Sequence, residues 1–99
     1  MAKYFLTNKA VKDLNDIWEY TFDKWSENQA DKYYQLILDN CQEIAESPIL
    51  GKKYDGVAAN LLGLKTNRHI IFYRKMDKNV IEITRILHGR MELKNKIKE

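Results

Sequence analysis

The chain is poor in the residues that staple, break or loosen small folds: one cysteine, one proline and four glycines among 99 residues. The lone Cys41 has no partner for an internal disulfide, which excludes a disulfide-stapled secreted scaffold. The glycines do not build a phosphate-cradling loop; "GLKTN" and "HGRM" lack that pattern. His69 and His88 are the only histidines, and nothing near either has metal-ligand spacing, so neither metal nor cofactor is expected. No apolar run approaches the roughly 18 residues of a membrane span, and MAKYFLTNK lacks the apolar centre of a signal peptide. The expectation is a cytoplasmic protein without membrane attachment.

What is present suits one folded domain over residues 1–99. Hydrophobic residues make up 44% and charged ones 31%, and a chain of this size buries roughly 60–65% of its unfolded surface in one core. The net charge of +3 is unevenly spread. Residues 1–50 carry five lysines against nine acids, whereas residues 51–99 carry twelve lysines or arginines against five acids. That asymmetry points to a basic face that meets an acidic partner.

Along the chain, Tyr4 and Leu6 alternate with Lys3, Phe5 and Thr7 in one short strand, and Thr7 can cap a helix. Val11, Leu14, Trp18, Thr21 or Phe22, and Trp25 then recur at helical spacing. Ser26 followed by Gln29 is a capping box that starts a second helix, with Ala30, Tyr33 or Tyr34, Ile37, Cys41 and Ile44 on one face. Pro48 ends it, and "SPILGKKYDG" reads as loop. The period then becomes strand-like in "NLLGLKT", "HIIFYRK" and "VIEITRILH". A three-residue loop, Asp77 to Asn79, sets Tyr73 opposite Ile83 and Arg74 opposite Glu82. In that register Ile71, Tyr73, Ile81, Ile83 and Leu87 face the helices, interrupted by Arg85. Arg68, Ile70, Phe72, Arg74, Glu82, Thr84, Ile86 and His88 share the other face. The fold expected is α+β: an N-terminal strand, a helical hairpin, a three-stranded antiparallel sheet and a short C-terminal helix from about Arg90.

Few residues in this frame could carry chemistry. Cys41 lies on an apolar helix face, as a small core residue does, and core packing accounts for the tryptophans and tyrosines. There remains a basic set, Arg68, Arg74, Arg85, His88 and Arg90 with Lys52, Lys53 and Lys65. Such a set can contact phosphate, and His88 could move a proton. The ordinary alternative is a solvated sheet face, with one arginine paired to Glu82.

The stretches "YFLTNKAVKDLNDIWEYTFDKW", "QADKYYQLI", "RHIIFYR" and "ITRILHGRME" resemble the RelE/ParE superfamily of type II toxin–antitoxin toxins, and the last two resemble its ParE branch. The resemblance implies a toxin that poisons DNA gyrase by binding it and is neutralised by a ParD-like antitoxin, through which the pair can sit on operator DNA. The RelE branch instead cuts messenger RNA on the ribosome, largely with strand lysines and arginines. Those positions fall here on Leu61, Gly63 and Ile70, none of which can stabilise a developing negative charge. Arg85, His88 and Arg90 are the residual candidates for a nuclease. A degenerate toxin that only binds antitoxin is a third reading. The leading expectation is therefore a non-enzymatic gyrase inhibitor with no catalytic residues. Arg68, Arg74, His88 and Arg90 are its gyrase-contact candidates, and Ile70, Phe72 and Ile86 its antitoxin-contact candidates.

Overall fold

The computed structural model of the chain describes residues 2–89 and residue 97. Arg90 and the C-terminal helix expected from that point lie outside the described residues. The elements run β1 (Lys3–Leu6), α1 (Asn8–Lys24), α2 (Glu27–Glu46), a 3-10 turn (Pro48–Leu50), β2 (Lys52–Lys53), β3 (Leu62–Thr66), β4 (His69–Asp77) and β5 (Val80–His88). They form one five-stranded sheet in the order β1-β5-β4-β3-β2. Its strands are antiparallel except for β1, which runs parallel to β5.

Local chemistry sets the helix ends. Thr7 Oγ1 accepts from the Ala10 amide at 3.0 Å and donates to the Thr84 carbonyl at 2.8 Å, so one hydroxyl both caps α1 and ties it to β5. Ser26 Oγ accepts from the Gln29 amide at 3.1 Å and starts α2 as expected. Ser47 closes α2 immediately before Pro48. The α2 face is the expected one: Ala30, Ile37, Cys41 and Ile44 are buried. Burial pushes the Cys41 thiol up to about 12, so it is an inert core group.

On α1 the buried stripe is Ala10, Leu14, Ile17 and Thr21, about one residue off the expected one. Val11 and Phe22 are exposed, and Trp25 is 75% exposed. The cause is polar. Asp13 turns toward the sheet to meet Arg85, which rotates the helix, and Thr21 can be buried because its hydroxyl donates to the Ile17 carbonyl. Core packing therefore does not account for Trp25 or Tyr20, which is also exposed.

The sheet differs from the expected one in three ways. The β4–β5 turn has two residues, Lys78 and Asn79, because Asp77 pairs with Val80; a bulge at Met76 then restores the expected Arg74↔Glu82 and Tyr73↔Ile83 pairs. A second irregularity, at Thr84, makes Phe72 pair with Arg85 and Ile71 with Ile86. Beyond it the faces exchange. Ile86 joins Ile71, Tyr73, Ile81 and Ile83 in the core under the helices, while Leu87 joins Ile70 and Phe72 on the far side. The third difference is strand number: "SPILGKKYDG" contains β2, which adds to the expected strands at the β3 edge. Tyr73 fastens this segment, donating to the Pro48 carbonyl at 2.6 Å and accepting from the Gly51 amide at 2.9 Å.

Candidate functional site

The sheet face expected to receive a partner is closed. Leu61, Ile70, Phe72 and Leu87 form a buried cluster covered by Tyr54, Val57 and Ala58, with Ile97 also against it. The Tyr54 ring stands edge-on to Phe72 at 5.2 Å between centroids. Gly63 is required there: an added Cβ would lie 2.6 Å from Tyr54 Cε1 and 3.0 Å from a methyl of Ile70. Phe72 is fully buried, a contribution of about 1.5–3 kcal/mol. Of the three antitoxin-contact candidates, Ile70 and Phe72 are thus sealed inside, and Ile86 lies on the opposite face. The cover was illegible because Tyr54, Val57 and Ala58 sit in a loop with no period.

Arg85, which interrupts the apolar strand, is answered by Asp13. Its Nε donates to Oδ2 at 2.7 Å and Nη2 to Oδ1 at 2.9 Å, and the Ile86 amide donates to the same carboxylate at 3.1 Å. The two side chains are only 10% and 11% exposed. This bidentate geometry joins β5 to α1 and leaves the guanidinium facing a carboxylate rather than solvent.

Beside that pair opens a groove of about 910 Å³. Ile17, Thr21 and Ile86 contribute apolar surface, and Tyr20, Trp25 and Tyr33 contribute aromatic rings. Arg68, His69 and His88 line it from the sheet. Asn67 holds a left-handed φ of 50° in the turn between β3 and β4, a conformation asparagine tolerates, and so presents the adjacent Arg68. His69 and His88 are cross-strand partners with ring centroids 5.4 Å apart and planes at 77°. His69 Nδ1 lies 2.7 Å from Tyr33 Oη, which also donates to the Thr66 carbonyl at 3.3 Å. Asn40 braces the same turn by donating to Thr66 Oγ1 at 2.8 Å. Burial first, and the neighbouring His88 second, lower His69 to about 4, so its ring is neutral at pH 7. Burial raises Tyr33 against the opposing pull of the Arg68 amide and charge.

The basic candidates therefore separate. Arg68 and His88 meet in the groove, whereas Arg74 lies elsewhere on the sheet, 3.9 Å from Glu82, the pairing expected from the register. Arg90 lies outside the described residues. Sequence reasoning did not single out Asp13, Tyr33 or the partnership of His69 with His88. Only Asp13 had a signal: an arginine inside an apolar strand requires a carboxylate from another element.

A helical hairpin on a mixed sheet whose first strand runs parallel to its last is the architecture that the RelE/ParE resemblance led us to expect. The family described as ParE toxin of type II toxin-antitoxin system, parDE, matches residues 4–93, and the chain belongs to it. The chain is similar to toxin ParE1 of Mycobacterium tuberculosis, with 29% identity over 92 residues covering 93% of this chain and 94% of that toxin. Toxin ParE1 of Caulobacter vibrioides is 33% identical over 91 residues, covering 92% of this chain and 93% of that toxin. A solved structure described as the chromosomal ParDE TA system from P. aeruginosa has the same fold. Its TM-score is 0.74 at 20% identity, over 89% of this chain and 96% of that one. Among the described residues no helix is long and apolar enough to cross a membrane.

Proposed function

We propose that this ParE-family toxin works in the cytoplasm without catalysis, by binding DNA gyrase, and that a ParD-like antitoxin neutralises it. One observation carries the non-catalytic reading: Leu61, Gly63 and Ile70, at the positions where a RelE-type nuclease keeps charged groups, are packed into a closed apolar cluster. No group there can activate a 2′-hydroxyl or protonate a leaving oxygen. The partner surface moves accordingly from the far side of the sheet to the groove, where Arg68 and His88 border apolar and aromatic side chains. That mixture suits an acidic segment with an apolar anchor.

A second reading, a ribosome-dependent endoribonuclease, rests on the same groove, because His69, His88 and Arg68 together could hold a phosphate and move a proton. Purified toxin separates the two. The gyrase reading expects inhibited supercoiling or trapped cleaved DNA, intact messenger RNA in a translating mixture, and weaker inhibition after Arg68→Glu, most visibly at moderate salt. Codon-positioned cuts that fall by roughly 10²–10⁴-fold with His88→Ala would overturn it.

A further inference from the structure

Charge is sorted by layer. The two helices carry four lysines against nine acids, whereas the stretch from β2 to β5 carries eight lysines or arginines against three acids. The register shows which cations stand on the back of the sheet, away from the helices. Gly63 lies on that side, since a Cβ there would meet Tyr54 and Ile70, and Lys52 is its partner on β2. Alternation along the strands adds Lys65, two residues beyond Gly63, and Arg74, two beyond Phe72. On β1, Tyr4 and Leu6 pack against the helix-side core, which puts Lys3 on the back as well. One cation from each of β1, β2, β3 and β4 thus shares this face, across a sheet roughly 19 Å wide at the ordinary strand spacing.

We propose that this back face binds the phosphate backbone of duplex DNA without regard to sequence. The choice of DNA rests on the gyrase reading, because a poison that traps cleaved DNA works beside a duplex. The cations are available: Lys3, Lys52 and Lys65 are exposed, and none forms an ion pair among the described residues. Arg74 is only loosely engaged, at 3.9 Å from Glu82. Lys52 Nζ stands 5.5 Å over the Tyr54 ring, on the lid of the closed cluster.

That lid decides against a peptide on this side. An amphipathic segment needs an apolar slot, and Tyr54, Val57 and Ala58 already cover the one around Phe72. What faces outward is a set of spaced ammonium groups, which meet phosphates as point charges and need no fixed fork geometry. The acidic helices on the opposite side orient the molecule, back first, toward a polyanion. The groove lies between α1 and the sheet, so a partner seated there does not need the back face.

The test is fluorescence anisotropy of a labelled duplex of arbitrary sequence titrated with the full chain, without gyrase, at several salt concentrations. Three free lysines and Arg74 should give a slope of log K against log[salt] of about −3, a loss of roughly 60-fold between about 50 and 200 mM. A second duplex of unrelated sequence should bind equally well. Lys52→Gln combined with Lys65→Gln should make the slope shallower by about 2, and Lys3→Gln by about 1. Lys32→Gln, on α2, should leave it unchanged. No binding at the lowest salt, a slope indifferent to the back-face variants, or tighter binding of a single-stranded RNA would overturn the assignment. Duplex binding by a toxin that leaves supercoiling untouched keeps this face and removes the gyrase reading, whereas inhibited supercoiling without duplex binding does the reverse.

Discussion

Replacing Asp13 with alanine removes the two carboxylate oxygens to which Arg85 donates and the acceptor of the Ile86 amide. The pair is about nine-tenths buried on each side, so water can only partly take over. Breaking such a pair from one side costs about 3–5 kcal/mol, because the surviving charge stays buried. Arg85 keeps a further interaction, which places the expected loss near the lower end, about 3 kcal/mol. For a domain whose whole stability is about 5–15 kcal/mol, that lowers Tm by roughly 12–24 °C. Urea titration followed by far-UV circular dichroism measures it, as a reduced midpoint with an unchanged slope. Asp13→Leu combined with Arg85→Met should recover most of the loss, since no charge remains without a partner. A loss below about 1 kcal/mol for Asp13→Ala would refute the claim that this pair locks α1 to the sheet.

Ser26→Ala should cost about 0.5–2 kcal/mol through the lost cap of α2, and an unchanged urea midpoint would count against it. Phe72→Glu buries a carboxylate in a closed cluster and should unfold the chain outright; a folded, cooperative variant by circular dichroism would mean that the Tyr54 cover opens readily. His69, lowered to about 4 in the fold and near 6.5 unfolded, gives stability that is full above about pH 6.5 and declines as pH falls toward 4, because the unfolded chain then binds the extra proton. Denaturant midpoints across that window should slope for the native chain and flatten for His69→Gln.

Away from the face of α1, segments governed by one period could be read in advance. The caps at Thr7 and Ser26, the α2 face from Ala30 to Ile44 and the Tyr73↔Ile83 register all followed from spacing and capping chemistry. The candidate site was less legible, for three separate reasons. The irregularity at Thr84 inserts one residue, and with a side-chain period of two that exchanges Ile86 with Leu87. A long-range ion pair, which no local pattern encodes, sets the rotation of α1. The cover from Tyr54 to Ala58 lies in a loop, where hydrophobic periodicity carries no information. Arg68 and His88 were foreseen as basic surface, but that they share a groove depends on helix–sheet docking rather than on their own strands.

The two tryptophans of the chain lie on α1 and at its C-cap, in unlike surroundings. Trp18 stacks on Phe22 at 5.3 Å and donates its indole N–H to Asp31, whereas Trp25 stands in the open at the groove. Tryptophan emission therefore comes wholly from the helical hairpin and contains an open component, Trp25, and a half-buried one, Trp18. Iodide should extinguish the red-shifted Trp25 signal first, and an occupant of the groove should protect it. The chain thus carries its own optical reporter for the arrival of a partner, without any label.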